Sequence, residues 1–165
     1  MYIMLIYSMP DTDGNRCTLA LDEQGWLRAT WRGFVDTGEA QRGADNYLKA
    51  LAGIHCPYLL NDNVALRGPW FDTVEWLEQV WVPQAARMGL RYVAHVVQAD
   101  CLSDSITVGF RGQRVGGVEL QIFQQVSEAE AWLLSCQNVA AKSAYEEART
   151  LAAVQIATRR AAPHE

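Results

Sequence analysis

No two of the four cysteines form a CxxC pair: Cys17, Cys56, Cys101 and Cys136 stand singly along the chain. That scatter lacks the spacing of a thiolate metal cluster or a disulfide framework. In a reducing compartment such residues serve as small core side chains. A basic field is missing too. The chain sets 14 Lys and Arg against 19 Asp and Glu, with a formal net charge of −5 and a pI near 5.2. Binding to nucleic-acid phosphates or to an anionic bilayer surface calls for the opposite balance. No apolar run approaches the roughly 20 residues of a membrane-spanning helix. The apolar opening Met1 to Tyr7 has neither a basic leader nor a small-residue cleavage site, and it reads as a strand. Gly109, Gly112, Gly116 and Gly117 lack the lysine and the spacing of a phosphate-binding loop. These absences lead to the expectation of a cytoplasmic protein with no cofactor, no metal, no nucleic-acid partner and no membrane insertion.

What is present suits one folded α/β domain. Of 165 residues, 50% are hydrophobic and 20% charged, enough to bury a core without staples. Strand-like runs cover Tyr2 to Tyr7, Cys17 to Leu21 and Trp26 to Phe34, with turn clusters at Pro10–Asn15 and Asp22–Gly25. The period then becomes helical: Thr37 is the expected N-cap, and Tyr47, Leu48, Leu51 and Ile54 form an apolar stripe. Pro57 to Leu60 is a short buried strand that ends in the polar stretch Asn61-Asp62-Asn63. Asp72-Thr73-Val74-Glu75 has the spacing of a capping box and opens a helix with its stripe at Phe71, Val74, Leu77, Trp81, Ala85 and Met88. Pro83 should kink that helix and Gly89 should end it. Arg91 to Val97 reads as the central strand, because apolar residues in nearly every position mark a parallel strand covered on both faces. Asp100 to Gly117 reads as a loop and Val118 to Phe123 as a further strand, and Ser127-Glu128-Ala129-Glu130 as the box opening the next helix. The expected architecture is a mixed, mostly parallel sheet with an N-terminal antiparallel hairpin and helices on one side. Residues 1–137 make the α/β domain and residues 138–165 an appended alanine-rich helix with a frayed tail.

Several motifs resemble a family of small bacterial STAS-like proteins, related to anti-sigma-factor antagonists and in part labelled Sec14-like. They are Leu59-Leu60-Asn61-Asp62-Asn63, the helix end Trp81-Val82-Pro83-Gln84-Ala85 through Gly89-Leu90-Arg91, the strand Tyr92 to Val97, Trp31-Arg32-Gly33-Phe34, and Phe123 through Leu133. The resemblance spans roughly residues 26 to 135. It implies a STAS-like fold and a regulatory, non-enzymatic role in protein interaction. In anti-sigma-factor antagonists a phosphorylatable Ser or Thr follows a central strand. The comparable stretch, Asn61 to Gly68, contains no hydroxyl residue, so the phospho-switch is not expected.

The candidate site is placed at the carboxyl end of the Tyr58–Leu60 strand, where open α/β sheets bind ligands. Asn61, Asp62, Asn63, Arg67, Trp70 and Trp76 are its ligand- or partner-binding residues. The Asn61–Asn63 stretch also reads, more simply, as a turn held by Asx hydrogen bonds. His95 reads as a hydrogen-bonded core histidine. As a general base beside Asp100 and Cys101 it would lie about 17 Å of extended chain from Asp100. His55-Cys56 has no orienting Asn or Asp, and Ser103, Asp104, Ser105 and Thr107 fit a surface loop. No catalytic constellation is recognisable. Two readings follow. One is an interaction module that docks a protein partner, or a second copy as a homodimer, through the Trp70–Trp81 helix and the Asn61–Gly68 loop. The alternative is a binder of a small apolar or nucleotide-like ligand at the strand ends.

Overall fold

The computed structural model describes residues 4–11, 14–69, 74–98 and 113–161. Their contacts divide the chain into two compact units, Met1–Leu133 and Leu134–Glu165. The first unit holds a seven-stranded sheet in the order β1-β2-β3-β4-β5-β7-β6. In chain order the elements are β1 (Met4–Asp11), β2 (Gly14–Leu21), β3 (Leu27–Phe34), α1 (Thr37–Gly53) and β4 (Tyr58–Arg67). Next come α2 (Val74–Trp76), a π-helical turn (Leu77–Trp81), α3 (Val82–Arg87), β5 (Tyr92–Val96), β6 (Gln113–Val115), β7 (Val118–Phe123) and α4 (Val126–Ala161). The expected mixed sheet with an antiparallel start is present. The strands β1-β2-β3 pair antiparallel, β3-β4-β5-β7 pair parallel, and β6 closes antiparallel on β7. The Arg91–Val97 reading is met by β5, flanked by parallel neighbours on both edges. Val93, Ala94, Val96 and Val97 are buried.

Helices α1 and α3 are crossovers that each carry the chain to the adjacent parallel strand, and crossovers of one hand place both on the same sheet face. Residue alternation assigns Ala29, Asn61, His95 and Ile122 to that face, and Arg28, Leu60, Ala94 and Phe123 to the other. The expectation of helices on one side holds for these crossovers. The opening turns of α4 meet the opposite face: Glu130 binds Arg28, and Trp132 packs on Tyr92 and Phe123.

Four local expectations are corrected. The N-cap of α1 is Asp36, not Thr37. Its Oδ1 accepts from the Glu39 N–H at 2.8 Å, and Glu39 Oε2 accepts from the Asp36 N–H at 3.0 Å, because a carboxylate can close this reciprocal box from one residue earlier. Asn61-Asp62-Asn63 is not a loop but the middle of the ten-residue strand β4. Its polar side chains tolerate a strand because each has a local partner or a cavity to face. Within β4, Thr30 pairs with Asp62 but Arg32 with Ala65. The extra residue is a β-bulge at Asn63–Val64, held as Asp62 Oδ1 accepts from the Val64 N–H at 3.1 Å. The bulge shifts the alternation, so Leu66 is buried and Ala65 exposed. Residues 113–117, expected within a loop, form β6 and the turn into β7. Helix α4 begins at Val126, ahead of the expected box at Ser127. The residues Phe71-Asp72-Thr73 and the stretch from Asp100 to Gly112, with Cys101, Ser103, Asp104, Ser105 and Thr107, lie outside the described residues.

Pro83 has the effect expected of it, in a specific form. It lacks an N–H for an i−4 carbonyl, and its ring crowds that carbonyl. The preceding turn widens to a π turn in which the Val82 N–H reaches the Leu77 carbonyl. Gly89 follows α3 with φ +110°, a conformation that stops a helix with no Cβ clash.

Candidate functional site

The crossover helices do not fill the sheet face beneath them. A cavity of about 160 Å³ lies between β2, β3, β4, β5 and β7 on its floor and α1, the π turn and α3 above. Most of its lining is apolar, from Leu19, Leu59, Leu66, Val93, Leu120 and Ile122 on the sheet and Leu77 and Val82 on the helices. Across the floor runs one register row of five side chains, Leu19–Ala29–Asn61–His95–Ile122, one from each strand. Its third and fourth members, Asn61 and His95, are polar.

Those two are locked by a short chain of hydrogen bonds. The Trp31 Nε1–H donates to Asn61 Oδ1 at 3.1 Å, and Asn61 Nδ2 lies 2.9 Å from His95 Nδ1. An indole nitrogen only donates, so it fixes which end of the Asn61 amide faces it. The amide nitrogen then faces His95 and must donate to Nδ1, which puts the imidazole proton on Nε2. The ring is therefore neutral. Burial in this apolar floor lowers the His95 pKa from 6.5 to about 4, since the charged form would lose its hydration there. Trp31 owes its position to Gly43. A Cβ at Gly43 would stand 2.2 Å from the Trp31 ring, so only glycine lets the indole lie against α1.

Two further polar groups reach this space from opposite sides. Tyr47, on α1, is 4% exposed, and Asn63, on β4, is 7% exposed. The Tyr47 hydroxyl and the Asn63 Oδ1 are both buried without a hydrogen bond among the described residues. Burial pushes the Tyr47 pKa well above 10, so it is a neutral hydroxyl able to donate or accept. The Tyr47 ring packs on Trp81 at 5.3 Å, and the Trp81 Nε1–H donates to the Ala44 carbonyl at 2.8 Å, which ties the π turn to α1. Glu78, on the π turn, is the one acidic residue of the lining among the described residues, which bring no lysine or arginine to it.

Of the six residues predicted from sequence, Asn61 and Asn63 line the cavity. Asp62 points to the other face and holds the bulge. Arg67 is exposed at the end of β4, in a shallow surface depression with Gly33, Phe34, Val64, Ala65 and Gln98. Trp76 is half-buried and is not part of the cavity lining. Trp70 lies outside the described residues. Sequence reasoning passed over Trp31, Gly43, Tyr47 and Glu78, and it read His95 as core. The legible signal was the polar pair Asn61 and His95 inside otherwise apolar strands. The cysteines here are structural. Cys56 Sγ donates to the carbonyls of Gly25 and Tyr58, both at 3.2 Å, and its pKa is raised by burial. Burial pushes the Cys17 pKa up to about 12. Among the described residues no group of His, Cys, Asp and Glu could hold a metal ion, and no helix is long and apolar enough to cross a membrane.

No family model matches the sequence, and no curated protein matches it. The chain is similar to the crystal structure of an uncharacterised DUF3478-family protein with a SpoIIAA-like fold from Shewanella loihica PV-4. The identity is 18%, the match covers 79% of this chain and 93% of that one, and the TM-score is 0.44. A SpoIIAA-like fold is the STAS-like type that the sequence motifs resemble.

Proposed function

We propose that this chain is a binding protein for a small, mainly apolar molecule held between the sheet and its crossover helices. The observation that carries the reading is the pairing of an apolar cavity with two buried polar groups that have no hydrogen-bond partner among the described residues. Leaving each such group unsatisfied costs about 1–3 kcal/mol. A ligand, or ordered water in its place, offsets that cost, and the apolar walls favour the ligand. This modifies the alternative drawn from sequence in two respects. The ligand sits under the helices rather than at the strand ends, and a nucleotide is disfavoured because no lysine or arginine lines the space among the described residues.

The test is native mass spectrometry and thermal shift on the purified full chain and on Ala44→Leu, which fills the cavity from α1. A retained or added small apolar molecule should raise the melting temperature of the parent protein and not of the variant. Equal shifts in both proteins, or no shift across a panel of small aromatic and aliphatic compounds, would refute the proposal.

A second reading, a regulatory module that docks a protein partner, is supported by a different surface. Val80 is 39% exposed and Trp76 half-buried on the helix that follows β4. An apolar patch of that kind suits the centre of an interface. Trp76→Ala should abolish co-purification of such a partner while leaving the ligand-dependent thermal shift intact. A partner that binds the variant as well as the parent rules this surface out.

A further inference from the structure

We infer that the cavity selects an amine on a compact apolar body, and rejects the matching carboxylate. This rests on the reading of the cavity as a ligand site and adds the charge of its occupant. Two of the groups along the space, Asn63 Oδ1 and the Glu78 carboxylate, only accept hydrogen bonds, while the Tyr47 hydroxyl can donate or accept. Asn63 Oδ1 is an acceptor with no donor among the described residues. Glu78 lines the cavity as a half-buried carboxylate with no ion pair or hydrogen bond among the described residues. Its neighbour on the same helix shows the contrast, since Glu75 Oε1 is satisfied by Gln79 Nε2 at 3.1 Å on the exposed surface.

Among the described residues nothing in the lining supplies the opposite charge. Their one basic side chain there is His95, and the Trp31–Asn61 chain holds its ring neutral with Nδ1 as acceptor. Its lowered pKa agrees with that geometry. An anion would therefore meet a carboxylate and an amide oxygen, with the Tyr47 hydroxyl as a donor but no counter-charge among the described residues, whereas an ammonium group would find acceptors in all three. The size follows from the volume. A cavity of about 160 Å³ is close to the roughly 150 Å³ apolar void known to hold benzene, so the occupant carries a single ring or a short branched chain.

An isosteric series tests this at neutral pH: benzylamine, benzyl alcohol, toluene and benzoate, titrated calorimetrically into the full chain. Benzylamine should bind tightest, benzyl alcohol and toluene more weakly, and benzoate not measurably. Glu78→Gln should lower benzylamine affinity about fivefold, the size of one partly screened ion pair, and leave toluene affinity and the circular dichroism spectrum unchanged. Benzoate binding as tightly as benzylamine, or benzylamine affinity unaffected by Glu78→Gln, would overturn the charge assignment while toluene binding preserved the ligand site. Failure of all four compounds would remove the ligand site itself and the inference with it. Benzylamine binding that persists in Ala44→Leu would place the amine elsewhere and overturn the inference as well.

Discussion

The two faces of one sheet have been finished differently. On the face under α4, Tyr58 stacks on Tyr92 at 5.6 Å, and Trp132 meets Tyr92 at 6.1 Å and Phe123 at 5.8 Å. Beneath this aromatic cluster Leu60, Ala94 and Val96 have no exposed surface. On the face under α1 and α3, the same strands present Asn61, His95, Leu120 and Ile122, all half-buried around an unfilled space. Close packing is the ordinary state of a protein interior. A face that departs from it, with polar groups in its middle, gives up the stability that close packing would supply. The stable face anchors the strands, and the open face uses their fixed register to aim Asn61 and His95.

The largest expected contrast comes from truncating one leucine on each face. Leu60→Ala, at a fully buried site, should lose about 3 kcal/mol in urea denaturation. Leu120→Ala, half-buried beside the cavity, should lose about 1 kcal/mol, because less apolar area leaves water-free contact. Equal losses would mean that the two faces are packed alike.

A smaller effect belongs to His95. Its folded pKa of about 4 lies below the ordinary 6.5, so between those values the unfolded chain binds the proton that the folded chain refuses. Stability contributed by the neutral ring is complete above pH 6.5, is lost as the pH falls towards 4, and changes no further below it. Allowing for the open cavity, the loss is on the order of 2 kcal/mol. Urea midpoints at about pH 7 and about pH 4.5, compared between the parent and His95→Gln, isolate this contribution from the carboxylates. An equal acid slope in both proteins would show that the imidazole is not buried in the way the floor requires.

The smallest effect is diagnostic by its sign. A glycine replaced by alanine within a helix ordinarily gains about 1 kcal/mol. Gly43→Ala puts a methyl group into the Trp31 indole and should instead lose about 1 kcal/mol through overpacking. The displaced indole, no longer donating to Asn61, should change the tryptophan emission. A stabilised variant with unchanged fluorescence would detach Trp31 from the cavity wall.

How much of this was legible follows from the kind of signal each feature leaves. The apolar runs of β5 and β7 and the stripe from Leu77 to Ala85 showed themselves by period, and Pro83 and Gly89 by backbone chemistry. The polar run Asn61-Asp62-Asn63 was misread as a strand exit, because within its own segment it has the composition of a turn. Only the neighbours at Trp31 and His95, 30 and 34 positions away, make Asn61 a strand residue. Glu78 left no signal at all, since a glutamate on an amphipathic helix normally faces water.

Sequence alone determined the class of fold: alternation and helical period are local properties, fixed by how a side chain leaves its own backbone. The cavity was decided by tertiary structure. Its row of side chains comes from five strands brought into register, its wall from an indole admitted by a glycine on another element, and its charge from a turn widened by Pro83. Each depends on distances between segments far apart in the chain, which no local pattern of residues encodes.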